Sequence, residues 1–367
     1  MAYGTVNADV IGTSVAGSNL GAGDASLMKN RIINGQMVID QRNAGASFTQ
    51  TTTTTYTLDR FAAQGTVASK YTVQQNAGSV TLPVGFTKYL GVTSSSAYSI
   101  GSGDAFTIQQ SIEGFNIADL AWGTANAKTV TLSFQVYSSL TGTFGGSIRN
   151  GSLNRSYPFT YSIPVANTWT TISVTIAGDT TGTWATDNST GINLVFGLGV
   201  GSTYSGTAGT WAATNYNSAT GATSVVGTSG ATFYITGVQL EVGSSATGFE
   251  YVNYQTSLAN CQRYFQRISS QGVNYASFGC GGLITSNILY QPIYLLQTMR
   301  SAPSMSSTAA NTFRVDSGNV VGTSIAFERI TTNIFRINVS TAGLAGASGE
   351  LHSDVTTLAY IDASAEL

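Results

Sequence analysis

The groups able to do covalent chemistry are few and scattered. Asp104, Glu113, Asp119, Asp179, Asp187, Glu241 and Glu250 supply carboxylates, and glycoside hydrolysis needs two of them about 5 to 10 Å apart. None stands in a recognisable catalytic frame, and Glu241 alternates out of phase with the apolar Val238, Leu240 and Val242. His352 is the single histidine; one imidazole makes neither a metal site nor a triad, so it reads as a surface or loop residue. Cys261 and Cys280 are too far apart for a zinc knuckle and have no histidine nearby. The glycines from Gly197 to Gly201 lack the lysine and following helix of a phosphate loop. The chain is expected to be no enzyme, to bind no metal and to need no cofactor.

Non-covalent binding is better served. Trp122, Trp169, Trp184 and Trp211, with Tyr204 and Tyr216, lie in or beside stretches rich in Asn, Thr and Gly. An open aromatic face beside amides and hydroxyls holds a sugar ring by apolar stacking plus hydrogen bonds. Each tryptophan has core or interface packing as its alternative role. Trp169 is out of phase with Ile172, Val174 and Ile176, which puts it on the opposite sheet face or at a strand start. The loop from Tyr204 to Tyr216, centred on Trp211, is the preferred carbohydrate-binding candidate, with Trp184 and Trp169 next.

The elements that would hold these residues are strands. At 367 residues the chain can form two domains, each with its own core. Charged residues make up 9%, well under the usual quarter or so; Thr, Ser, Asn, Gln and 42 glycines take their place. Short strands joined by polar turns fit that mixture, and helices built from Glu and Lys do not. A net charge of −2 gives no basic field, so nucleic acid is not an expected partner. No apolar run approaches a membrane span, so no membrane insertion is expected.

Alternation is clearest in Val130-Leu132-Phe134-Val136, Ile172-Val174-Ile176 and Leu194-Phe196-Leu198-Val200, each a half-buried strand of a two-sheet sandwich. Shorter strands are expected at Tyr71–Gln75, Val80–Leu82, Tyr89–Thr93 and Phe106–Gln110, with a short helical crossover between Ile112 and Trp122. Asn30–Asp40 reads as the first strand with an Asn34-Gly35 turn in it, and Thr51–Thr55 as an edge strand or loop. Asp59 and Arg60 read as a local ion pair or turn cap. Residues 1 to 30 hold few large side chains; Val6, Val10, Ile11 and Val15 could add a strand to another protein, or the segment could be a loose terminus. Beyond residue 269, Phe313–Val315, Ile325–Phe327, Phe335–Val339 and Leu358–Ile361 continue as strands, and the run Tyr290 to Leu296 suits a subunit interface, with Pro292 marking an edge or break.

The stretch Ala231 to Arg267 joins the two halves. Phe233 and Ile235 share one parity and Val238, Leu240 and Val242 the other, so a bulge is expected at Thr236-Gly237. Leu258, Cys261, Tyr264, Phe265 and Ile268 then recur at helical spacing, with Arg263 and Arg267 towards the helix end. Leu258, Cys261, Tyr264 and Phe265 are therefore the expected domain hinge, Cys261 as a buried small hydrophobe.

TGVQLEVG, SATGFEYVNY and LANCQRYFQR in this stretch resemble a recurrent block of bacteriophage tail-fibre and virion surface proteins. RIINGQMVIDQRNAG, YTLDRF, AWGTANAKTVTLSFQVYSS, TMRSAPSM and LAYIDASAEL resemble the same family, so the likeness covers nearly all of the chain after about residue 28. It implies a jelly roll similar to carbohydrate-binding modules, a homotrimer and a place on the virion surface. Such jelly rolls often hold a structural calcium through an Asn-Gly-Asp-type segment; Gln36 and Thr236 stand here instead, so no metal is expected. No secretory segment follows Met1, which fits assembly in a host cytoplasm. The expected chain is all-β: a virion attachment arm over 1–30, a jelly-roll sandwich over 31–252, a linking helix over 253–268 and a second β-sandwich over 269–367. Its expected role is a short tail fibre or receptor-binding adhesin that recognises a host surface glycan, with other virion proteins as partners through the arm. A capsid decoration protein or head fibre is the alternative.

Overall fold

The computed structural model describes residues 28–285, 287–315, 320–343, 348–354 and 358–367. Val6, Val10, Ile11 and Val15 lie outside the described residues. The chain is all-β apart from one α-helix and a few single turns of 3-10 helix. It divides into two units, one running to Met37 and including Thr49–Thr55 and Ala62–Tyr251, the other made of Val38–Phe48, Tyr56–Phe61 and Val252–Leu367. The chain thus crosses between the units more than once, where a single crossing at residues 253–268 was expected.

The strands of the first unit, with β1 and β2 each sharing one residue with the second, are β1 (Phe48–Thr49), β2 (Thr55–Tyr56), β3 (Ala62–Gly65), β4 (Tyr71–Gln75), β5 (Leu90–Ser94), β6 (Ala105–Glu113), β7 (Val130–Ser138), β8 (Gly142–Asn150), β9 (Ser156–Ile163), β10 (Thr170–Ile176), β11 (Thr190–Val200), β12 (Ser205–Gly206), β13 (Ser218–Ala219) and β14 (Thr232–Val242). They form two six-stranded sheets, β1-β4-β5-β14-β7-β10 and β2-β3-β6-β11-β8-β9, with β12 and β13 as a separate parallel pair. Strands that are neighbours in space but distant in sequence make this a jelly-roll-like sandwich. Phe134 lies 5.1 Å from Phe196 and 5.0 Å from Tyr161, ring to ring across the sheets. The expected bulge is present: the β14–β7 register shifts between Thr236 and Gln239, and Gly237 has φ 61°, a conformation glycine adopts without strain. Two 3-10 turns, Gly114–Asn116 and Ala118–Leu120, make the crossover.

Two local expectations fail. Residues 30–40 form no strand, because Asn34 and Met37 sit at φ 61° and 60° and bend the backbone into a turn. That turn is held against β14 by Arg31 N–H donating to Leu240 O (2.9 Å) and Val238 N–H donating to Gly35 O (3.0 Å). Val80–Leu82 is likewise no strand; Val80 and Leu82 pack with Tyr89 and Tyr234 in a small satellite core.

The second unit holds α1 (Tyr254–Gln262) and the strands β15 (Phe265–Ser269), β16 (Ser277–Thr285), β17 (Ile288–Tyr294), β18 (Ser304–Ser307), β19 (Phe313–Val315), β20 (Val320–Glu328), β21 (Ile334–Thr341), β22 (Ser348–Ser353) and β23 (Tyr360–Ser364). Six of them close into a barrel, β16-β17-β21-β20-β19-β22, beside a three-stranded sheet β15-β23-β18. Leu289, Phe313, Phe335, Ile337 and Leu351 from the barrel share one core with Ile361 and Ala363 of β23. Pro292 is tolerated inside β17 because the β16–β17 ladder covers only Ile288 to Tyr290, leaving Pro292 to pair on the β21 side.

The helix is capped by Asn253, whose side chain accepts from Thr256 N–H at 2.9 Å, and it ends at Gln262, short of the expected residue 268. Phe265 and Ile268 belong to β15, where they pair with Ser364 and Ile361 and, three apart, point to opposite faces of the strand. Leu258, Cys261, Tyr264 and Phe265, the expected hinge, all fall inside the second unit. Cys261 is buried, and burial pushes its thiol well up, which suits an inert packing role. Asp59 accepts from Gln41 N–H (2.7 Å) and Gln41 Nε2 (2.6 Å), and Arg60 pairs with Glu366, far away in the sequence. His352 is buried in β22, 5.5 Å from the ring of Tyr275, and not at the surface.

Candidate functional site

Three of the four tryptophans meet at one end of the sandwich. Trp122 and Trp184 are 4.7 Å apart, and Trp211 lies 5.4 and 5.5 Å from them, all edge to face. Tyr157 completes the group at 5.2 Å from Trp211. Every indole N–H is satisfied internally: Trp122 by Lys128 O (2.8 Å), Trp211 by Ala177 O (2.8 Å) and Trp184 by Asp179 Oδ2 (3.2 Å). Arg155 forks onto the same Asp179 carboxylate at 2.9 and 2.6 Å. Burial pushes the Asp179 carboxyl up, but the donors from Arg155, Thr181 and Trp184 outweigh it and hold it below the usual carboxylate range. Trp184 is 7% exposed, too little for a sugar ring to stack. Trp211 is half-buried with its edge committed to the cluster. The group behaves as a plug that closes the sandwich.

Trp169 lies elsewhere, on the outer face of the β4-β5-β14-β7-β10 sheet. It packs 5.7 Å from Tyr89 and 5.5 Å from Tyr137, and donates to Thr81 O at 2.8 Å. Its opposite-face placement matches its phase in the sequence. Tyr204 and Tyr216 are half-buried in the loop between β11 and β14. The Tyr216 ring packs against Gly206, and Tyr204 O accepts from Asn217 N–H at 2.7 Å. The structure therefore joins Trp184 to Trp211, keeps Tyr204 and Tyr216 in one loop, and leaves Trp169 apart.

The outer face of the other sheet is the polar one. Phe106, Ile108 and Ile112 of β6, Leu194 and Phe196 of β11, and Ile148 of β8 are buried in the core. The residues that alternate with them, Thr107, Gln109 and Ser111 of β6, Asn193 and Val195 of β11, and Ser147 and Arg149 of β8, point to the other side of the sheet and are 8% exposed or less. Register places Arg149 opposite Asn193, and Asn193 opposite Ser111. In the next row Val195 stands opposite both Ser147 and Gln109, and then Thr107 opposite Gln64. The row is polar except for the apolar Val195, and it is buried apart from the half-buried Gln64. Gln109 Nε2 reaches Gln64 Oε1 (3.4 Å), and Asn193 Nδ2 reaches Ser111 Oγ (3.1 Å).

The β11–β14 loop folds down on this face. A side chain at Gly145 or Gly197 would put its Cβ 2.4 or 2.8 Å from Ser218 Oγ, so glycine there lets β13 seat on the sheet. The loop brings Asn215 and Asn217 over Arg149: Nη1 donates to Asn215 Oδ1 (2.9 Å) and to Asn217 Oδ1, and Nη2 to Gln109 Oε1 (3.1 Å) and Asn193 Oδ1 (3.2 Å). Sequence reasoning passed over Arg149, Gln109, Asn193, Asn215 and Asn217. The available signal was polar residues recurring at the out-of-phase positions of apolar strands.

The carboxylates singled out in the sequence have structural work. Asp119 pairs bidentately with Arg31 at 2.8 Å on each oxygen, and Asp104 accepts from Thr66 Oγ1 (2.8 Å) and Tyr98 OH (3.1 Å). Glu241 accepts from Gln239 Nε2 (2.9 Å) and Thr247 Oγ1 (2.6 Å), and Glu250 from Asn30 N–H (2.6 Å). Asp187 caps Ser189 N–H at 2.9 Å. Among the described residues no group of three or more His, Cys, Asp or Glu is placed to hold a metal ion.

No family model and no curated protein matches the chain. Similar solved structures include one described as CBM4, 14% identical over 57% of this chain and 98% of that one, TM-score 0.28. Another is a family 11 carbohydrate-binding module from Clostridium thermocellum in complex with a β-1,3-1,4-mixed-linked tetrasaccharide, 11% identical over 56% of this chain and all of that one (100%), TM-score 0.26. A third is the tandem CBM22 domain from Paenibacillus barcinonensis Xyn10C, 9% identical over 89% of this chain and 98% of that one, TM-score 0.26. At scores this low the likeness carries no weight for function.

Proposed function

We propose that the chain is a non-enzymatic glycan-binding protein of a bacteriophage particle, a short tail fibre or receptor-binding adhesin for a host surface glycan. The observation that supports it is the amide and hydroxyl row on the outward side of β6, β11 and β8, where Gln64 and Asn215 are half-buried and Gln109, Ser111, Asn193 and Asn217 lie beneath them at 6 to 8% exposure. Such a surface suits the hydroxyls of an uncharged or weakly charged saccharide. Acid–base cleavage is disfavoured because the acids above are committed to hydrogen bonds and ion pairs.

Virion attachment through residues 1–30 and the trimeric state rest on the resemblance of the tail-fibre motifs. Tyr294 and Leu296, 74% and 73% exposed beside β17, suit a subunit contact. A glycan array probed with the full chain tests the proposal. Specific binding of at least one glycan is expected, and silence across the array with saccharide at millimolar concentration would overturn it. Labelling on intact particles separates tail fibre from capsid decoration protein.

A further inference from the structure

Arg149 is 4% exposed and faces no carboxylate among the described residues. Other arginines in the chain are matched: Arg31 with Asp119, Arg60 with Glu366, Arg155 with Asp179, Arg267 with Asp362, and Arg314 with Asp354. Arg149 has four neutral amide oxygens on its Nη atoms, while its buried Nε has no acceptor. Burial lowers its pKa to about 10, so it stays charged at neutral pH. A buried cation is costly unless paired, and amide dipoles offset that cost only in part. The site therefore presents an uncompensated positive charge just beneath a binding face.

The same arginine sets its neighbours. Arginine offers donors only, so Asn215 and Asn217 must turn their carbonyl oxygens inwards. Their Nδ2 groups then face away from the guanidinium, Asn215 half-buried and Asn217 8% exposed. Two adjacent amide donors backed by one fixed positive charge match a planar monoanion with two oxygen acceptors.

We propose that this patch binds the carboxylate of an acidic sugar residue, a uronic or sialic-type unit within the host glycan, through the Asn215 and Asn217 amides over the Arg149 guanidinium. The proposal rests on the glycan-binding reading and deepens it. Arg149 is then a positioning residue that also supplies charge, while Gln109 and Asn193 help hold it in place.

The test is calorimetric titration of the full chain with paired saccharides that differ only at the carboxyl: oligogalacturonate, hyaluronan oligomers and sialyllactose, each against its methyl ester. At least one acid form should bind roughly tenfold more tightly than its ester, the scale of a charge-assisted over a neutral hydrogen bond. Added salt should narrow that gap. Arg149→Met should abolish the preference; wild-type preference in a folded Arg149→Met protein would overturn the assignment. Equal binding of acid and ester by the unmodified chain would overturn it without any variant. Sulfated sugars bound in place of every carboxylate form would overturn the carboxylate assignment. If neutral glycans alone bind, acid selectivity is wrong and glycan binding stands; if nothing binds, the underlying reading fails.

Discussion

Arg60 and Glu366 form a buried ion pair although 306 positions separate them, and the Arg60 guanidinium lies 3.5 Å above the ring of Tyr264. Arg42 repeats the arrangement beside it, 3.6 Å above Phe265 and 2.9 Å from Glu366. Arg300 Nε donates to Ala365 O at 2.8 Å, and Tyr56 OH to Leu367 O at 2.8 Å. The YTLDRF segment near the chain start thus helps hold the chain end within the second unit. Burial works against the Arg60 charge, and Glu366 outweighs it and raises the Arg60 pKa.

Removing one partner of that pair strands a buried charge. Glu366→Gln should destabilise the second unit by about 3 to 5 kcal/mol. Urea denaturation of the full chain measures it, and a loss near zero would show that Glu366 is not holding Arg60.

The helix and the strand after it should respond differently to truncation. Phe265 is 3% exposed beneath Arg42, so Phe265→Ala should cost about 3 to 5 kcal/mol. Leu258 is only half-buried on α1, so Leu258→Ala should cost about 1 kcal/mol. Equal costs for both would restore the single continuous helix that the spacing suggested.

Asp179 ties the tryptophan plug to pH. Its folded pKa lies below its unfolded value, so its contribution to stability is present in full above the unfolded pKa and is lost as pH falls through the folded one. Tryptophan fluorescence should therefore report loosening of the plug in acid, starting near pH 4 or just below. Asp179→Asn should remove that acid transition from the fluorescence profile; an unchanged profile would place the transition elsewhere.

The close seat of β13 on the sheet gives a test of site geometry. Gly145→Ala adds a Cβ 2.4 Å from Ser218 Oγ, which pushes the loop off β8 and carries Asn215 and Asn217 away from Arg149. Glycan affinity should fall while the sandwich stays folded, as near-ultraviolet circular dichroism would show. Unchanged affinity would mean that the loop is no part of the site.

Much of the fold could be read in the sequence because alternation is local. Val130 to Val136 and Leu194 to Val200 announce strands with one face in a core, and the change of parity at Gly237 announces a bulge. What escaped depends on distant partners. Nothing near Arg60 points to Glu366, and nothing in the spacing of Phe265 and Ile268 chooses strand over helix until Ser364 and Ile361 are beside them. His352 looked like a surface residue because its cover, Tyr275, lies on a separate segment. The tryptophans drew attention as sugar platforms, yet three of them satisfy one another. The polar face was hidden because Arg149, Asn193 and Gln109 sit on three strands and meet only through register.

The most direct measurement is an isotherm for the best glycan of the array, taken with the unmodified chain and with the Gln109→Ala/Asn193→Ala double variant. Binding through the outer face of β6 and β11 predicts an affinity loss of at least about tenfold, or roughly 1.4 kcal/mol, in a double variant that near-ultraviolet circular dichroism shows to be folded. Unmodified affinity in the double variant would contradict it.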